Sequence, residues 1–160
     1  MDWHEKNVEF NALIKQLFHD GDWQKRAEAA RRLGILKDGR ATNLLCRALR
    51  SEEDHIVTNK IIEALGRIGD GRATLRIVEK LQEEQEKYEI DKFRIIYIIE
   101  SLIRIKDKRA LTFIAPILES SDHELKNLAQ KAFDAIEPNW KKIIENERNK
   151  TIQEIFKTGK

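Results

Sequence analysis

The stretch Leu65-Gly66-Arg67-Ile68-Gly69-Asp70-Gly71-Arg72-Ala73 decides the fold, because the chain contains it three times. Its copies are Leu33-Gly34-Ile35-Leu36-Lys37-Asp38-Gly39-Arg40-Ala41 and Leu102-Ile103-Arg104-Ile105-Lys106-Asp107-Lys108-Arg109-Ala110. In each, Leu precedes Asp by five residues, Arg follows Asp by two, and Ala follows Arg. Asp38, Asp70 and Asp107 are separated by 32 and 37 residues. A second aspartate lies eleven residues before each leucine, at Asp22, Asp54 and Asp91. Phe133 takes the place of a fourth leucine, and Asp122 lies eleven residues before it. A carboxylate accepts from the orphan amides of a first helical turn, so four aspartates in one phase read as four helix N-caps.

Between caps and leucines the apolar spacing is helical: Ile61, Ile62, Leu65 and Ile68 form one stripe, and Ile95, Ile98, Ile99, Leu102 and Ile105 another. A second helix follows each Asp-x-Arg-Ala, with aligned apolar residues at Leu45, Ile77 and Ile114 and at Leu49, Leu81 and Leu118. Leu13 and Leu17 fall 32 residues before Leu45 and Leu49, so the N-terminal segment is half a repeat. The organisation expected is one all-α domain. Residues 1–21 form an N-terminal capping half-repeat, 22–53, 54–90 and 91–121 full repeats, and 122–160 an atypical C-terminal capping repeat. The closing helix is expected to run from about Asn139 to Lys157, with Pro138 at its start in place of the repeat aspartate.

Composition agrees. The 160 residues suffice for one domain or one short array, and two prolines and seven glycines leave room for few strand-turn-strand units. Thirty basic and 28 acidic residues, net +2, remove the global electrostatic case for nucleic acid or an anionic membrane. The single cysteine, Cys46, excludes an internal disulfide and a multi-cysteine zinc site. The longest apolar stretch, Ile95 to Ile105, is interrupted by Glu100 and Arg104 and is too short to span a bilayer. The N-terminus carries no targeting pattern, so a cytoplasmic protein is expected.

A helix-turn-helix unit with a capping Asp, then Leu-Gly, then Asp-x-Arg-Ala resembles the HEAT repeat, and more narrowly the short HEAT-like repeat named after phycobilisome (PBS) lyases. The resemblance covers roughly residues 10–138, departing at Ile103, where the glycine is missing, and at Pro138. It implies a right-handed α-solenoid of the armadillo-type superhelix class, of about four repeats plus the capping helix, with second helices lining a concave face. It also implies that Asp38, Asp70 and Asp107 cap the second helices, and that Arg40, Arg72 and Arg109 join a hydrogen-bonded ladder between repeats. Such proteins include scaffolds, adaptors, phycobilin lyases and a di-iron hydroxylase, so the resemblance leaves function open.

Catalytic chemistry finds little support. His4-Glu5 and His123-Glu124 are the two His-Glu pairs, but His123 directly follows a cap and His4 precedes the first helix, so they do not converge as a metal site requires. Cys46 lies beside core Leu45 with no histidine placed to activate it. No catalytic residue, metal or cofactor is assigned.

The second-helix positions that vary between repeats carry the functional expectation. Leu44, Arg47, Arg76, Lys80, Phe113 and Ile117 are expected on the lining face, an apolar pair beside cations that suits an acidic amphipathic segment of a protein partner. Phe113 and Ile117 have one other placement, against the last helix. Glu79, Glu83, Glu84 and Glu86 interrupt the basic residues and disfavour nucleic acid. The extra five residues of the 37-residue spacing fall near Gln82–Glu89, either as an acidic extension of the helix or as a loop. Ile152, Ile155 and Phe156 can fold back on the fourth repeat, the favoured arrangement, or dock into a second copy as a homodimer. The reading is a non-catalytic adaptor or scaffold, with a bilin-lyase-like enzyme or accessory subunit as the alternative and a nucleic-acid binder third.

Overall fold

The computed structural model describes residues 2–147 and 149–158. The helices are α1 (Trp3–His19), α2 (Trp23–Leu36), α3 (Ala41–Ser51), α4 (His55–Ile68), α5 (Thr74–Gln85), α6 (Lys92–Ile105), α7 (Leu111–Ile114), α8 (His123–Ile136), α9 (Trp140–Asn146) and α10 (Ile152–Ile155). Short 3-10 segments lie at Gly71–Ala73, Lys108–Ala110 and Ala115–Glu119, and no strand occurs among the described residues.

The first helix of each repeat starts on its expected aspartate, whereas α3, α7 and α9 have no side-chain cap bond. Asp22 accepts from the Gln24 amide, Asp54 from those of Ile56 and Val57, Asp91 from Arg94, and Asp122 from Glu124 and Leu125. The first helix of each of the three full repeats ends on a left-handed residue, Lys37 (φ 50°), Gly69 (φ 75°) or Lys106 (φ 59°), always the residue before the repeat aspartate.

The contacts fall into two compact units, Met1–Ala73 and Thr74–Lys160, dividing the second repeat between its helices. In the first unit α2 packs on α1 and α4, and α3 on α1 and α4. Leu17, Leu33, Leu45, Leu49, Ile61, Ile62 and Leu65 are fully buried there. The repeat glycine Gly34 lets α2 approach α4, since a Cβ at this position would stand 2.8 Å from the Cα of Ala64. In the second unit α6 packs on α5 and α8, and α8 on α7 and the Ala115–Glu119 segment. Ile77, Leu81, Ile98, Ile99, Ile114 and Phe133 fill that core.

One expectation needs correction. The closing helix is not continuous: α9 ends at Asn146 and α10 begins at Ile152, where the Thr151 side chain accepts from the Glu154 amide. The polar run Glu145–Lys150 offers no apolar stripe to pack, and a helix without one gains little from tertiary contact. The distal residues fold back in cis: α10 contacts α7 and the Ala115–Glu119 segment, and Phe156 is buried with its ring 5.1 Å from that of Phe133. The second helix of the third repeat is α-helical only over α7 and becomes 3-10 at Ala115, where Pro116 has no amide to donate.

Candidate partner-binding site

The Asp-x-Arg motif is a frame rather than a site. The Asp38, Asp70 and Asp107 carboxylates accept from the backbone amides of Arg40, Arg72 and Arg109 at 2.9–3.0 Å, and the same three guanidiniums fold back on them at 2.6–2.7 Å. Within the first unit each arginine also reaches 33 residues back: Arg40 donates to the Asn7 side chain at 2.9 Å, and Arg72 to the Gly39 carbonyl at 3.1 Å. The Thr42 hydroxyl donates to Asp70 at 3.1 Å. These partners hold the carboxyls below the usual carboxylate range. Arg72, its amide and Thr42 bring Asp70 down to about 2, and Arg40 lowers Asp38. Burial pushes Asp107 up, and the Arg109 guanidinium and backbone amide outweigh it.

The variable second-helix residues are distributed as follows. On α3, Leu44 is half-buried, and exposed Arg47 lies 5.9 Å from the Phe18 ring centroid. On α5, Arg76 pairs with Glu79 at 2.6 Å and Lys80 with Glu83 at 3.1 Å, so both cations are engaged on their own helix. Phe113 is half-buried. Ile117 is 6% exposed and does not belong to an exposed face. The same register is buried in the α-helical first repeat, where Ala48 is 4% exposed, so this position faces the core in both helix types.

What the second unit offers instead is a cleft of about 710 Å³ on its second helices, closed on one side by the C-terminal segment. Leu75 and Phe113 supply apolar wall, Arg109 and Lys157 cations, and Thr112, Thr151 and Glu154 further polar groups. The Thr112 hydroxyl donates to the Gln153 carbonyl at 2.7 Å and ties α10 to this wall. Leu75, Lys157 and the α10 side of the cleft were not singled out in the sequence; Leu75 follows the repeat alanine by two and looked like any helix-start residue. Among the described residues, no three His, Cys, Asp or Glu side chains come together as a metal site would need, and His4 and His123 are both exposed.

Sequence reasoning also passed over a second set of anchors. The amide of each first-helix cap is itself held: Asp22 donates to Asp20, Asp54 to Glu52, Asp91 to Glu84 and Asp122 to the Ser120 hydroxyl. Glu52 is bound by Arg26 through two nitrogens at 3.0 Å. Lys92 bridges Asp122 and Glu124 at 3.0 and 2.7 Å. The signal was the polar residue two places before three of the four caps.

Paired helices with capped turns, stacked by a recurring Asp-Arg frame, define an α-helical repeat protein. The chain belongs to the HEAT-repeat family, whose model matches residues 10–90. It is also similar to the bilin biosynthesis protein PecE of Mastigocladus laminosus, 33% identical over 135 residues. That match takes in 80% of this chain and 48% of the relative, so the chain spans about half the relative's length. No described helix is long and apolar enough to cross a membrane.

Proposed function

We propose that the chain is a non-catalytic interaction module that receives an acidic amphipathic segment of a partner protein in the cleft of its second unit. One observation carries this reading: the 710 Å³ cleft joins half-exposed Leu75 and Phe113 to the cation of Lys157 and to the edge of the Arg109 guanidinium, which also pairs with Asp107, with Glu154 as the acidic group of the lining. A segment with one apolar and one acidic face would match both kinds of wall. The rigid capped helices supporting Leu75 and Phe113 would keep the ordering cost of binding small. HEAT repeats commonly serve such a role, which supports the reading.

The likeness to a bilin biosynthesis protein favours a second reading, in which the same cleft holds an acidic open-chain tetrapyrrole as part of an enzyme or its accessory subunit. A peptide-display selection on the full chain, repeated on Phe113→Glu, separates the two. Enriched peptides that alternate Asp or Glu with Leu or Phe, and bind the variant at least about tenfold more weakly, support the first reading (about 1.4 kcal/mol). Peptides without that pattern, or equal binding to the variant, overturn it. A saturable absorbance shift on titration with biliverdin would establish the second.

A further inference from the structure

We propose that the five-residue insertion of the second repeat, together with Phe93, is a separate docking knuckle for a protein surface that carries an apolar socket rimmed by Lys and Arg. This holds whether or not the cleft binds a partner.

The fold does not require the insertion. In the first repeat Glu52 accepts the Asp54 amide across Glu53 alone; in the second, Glu84 accepts the Asp91 amide at 2.7 Å across residues 85–90. The same anchor is made, and residues 86–90 are extruded from it. Their base is fixed. Glu84 is 1% exposed, Lys87 closes on its second oxygen at 2.7 Å, and the amides of Glu86 and Lys87 donate to the carbonyls of Gln82 and Glu84.

This fixed loop turns its large apolar side chains outward. Tyr88 is fully exposed and Ile90 51%, and Phe93, in the first turn of α6, is 72% exposed. Leaving so much apolar surface in water forgoes burial worth about 25 cal/mol per Å², and three large exposed apolar side chains within six residues of the chain mark a candidate contact site. A hollow of about 390 Å³ lies at its foot, with Ile90 and Pro116 as apolar wall and Gln85, Lys92, Ser120 and Asp122 as polar wall.

Charge selects the partner. Lys87 pairs with Glu84, Lys92 with Asp122 and Glu124, and Glu83 with Lys80, while Glu86 and Glu89 are exposed on the knuckle itself. An acidic rim repels phosphates, which argues against nucleic acid and anionic bilayers, and complements a basic protein rim.

The test is Tyr88→p-benzoylphenylalanine in the full chain, expressed in the native host, irradiated, and mapped by mass spectrometry. The expected result is a saturable adduct to one protein, at a site where apolar residues are bordered by Lys or Arg. The purified partner should then bind wild type, weakening at least about tenfold with Phe93→Ser, with paired Glu86→Lys and Glu89→Lys, or with residues 86–90 deleted. Added salt should weaken it too, and the cleft variant Phe113→Glu should leave it unchanged. Adducts to a second copy of this chain, to lipid, to nucleic acid or to an acidic surface overturn the proposal. So does the absence of a saturable adduct, or binding indifferent to all three knuckle variants while circular dichroism shows them folded.

Discussion

The Glu84 carboxylate accepts the amide of Asp91, seven residues on, at 2.7 Å, the bond that Glu52 makes to Asp54 at a separation of two. Glu84 is buried, so removing it strands the Asp91 amide, while half-exposed Lys87 turns to water. Glu84→Ala should destabilise by about 2–3 kcal/mol and Glu84→Gln by less, because the amide oxygen still accepts. Deleting residues 86–90 instead joins Glu84-Gln85 to Asp91, reproducing Glu52-Glu53-Asp54, and should leave stability within about 1 kcal/mol. Urea midpoints of the three variants check this; a deletion more damaging than Glu84→Ala would show the insertion to be structural.

Gly34 sits against Ala64, where a Cβ would come 2.8 Å from the Ala64 Cα. Alanine is the better helix former by about 1 kcal/mol, but the neighbour is backbone and must move. Overpacking of this kind costs about 1–3 kcal/mol, so Gly34→Ala should be net destabilising despite the propensity gain, and Gly34→Val more so. Thermal unfolding gives the sign directly.

Lys37 and Lys106 hold the left-handed conformation that Gly69 adopts without penalty. Lys37→Gly and Lys106→Gly should each stabilise by a few tenths to about 1 kcal/mol. The relief of the left-handed conformation exceeds the extra entropy of an unfolded glycine. Gly69→Ala should cost about 1 kcal/mol. Chemical denaturation of the double variant should show near-additive gains, since the two sites share no partners.

Asp70 titrates at about 2 in the folded protein, below the usual carboxylate value, because it accepts from the Arg72 side chain and amide and from Thr42. Its folded form therefore binds fewer protons than its unfolded form between about pH 4 and 2. The stability it contributes is complete above about pH 4 and is lost as pH falls toward 2. Asp70→Asn should accordingly destabilise by about 1–2 kcal/mol near pH 6, with the gap to wild type closing in that acid window. Thr42→Val should narrow it partially. Urea midpoints across pH test both, and a gap independent of pH would remove the electrostatic account.

What was legible followed from recurrence. The cap aspartates and repeat leucines stand in fixed phase, so their roles could be read from spacing alone. The glycine of Leu-Gly was visible, but not that Ala64 was the atom set against it. Lys37 and Lys106 were opaque because lysine carries no signal for a left-handed backbone. Glu84 was opaque because the insertion moved its partner from two residues away to seven. Ile117 was misplaced because variation between repeats was read as exposure, whereas Ala48 in the same register of the first repeat is itself buried. The cleft lay beyond reach since one wall is α10, which folds back after a break in what read as one helix.

That fold-back gives the last prediction. The Phe133 ring is met by Trp140 at 5.1 Å and edge-on by Phe156 at 5.1 Å, and the Trp140 indole donates to Asp134 at 2.7 Å. Phe133 is fully buried and Phe156 nearly so, which makes α10 the lid of this core. Truncating a buried aromatic costs about 3–5 kcal/mol, and such rings contribute about 0.5–1.5 kcal/mol beyond the area they bury. Phe156→Ala should fall near the lower bound, because a four-residue helix can leave without disturbing α8. The loss should be the same at every protein concentration, with near-ultraviolet dichroism from Trp140 reduced and far-ultraviolet dichroism nearly kept. If the loss deepens as the protein is diluted, Phe156 is instead held by a second copy, and the lid acts in trans.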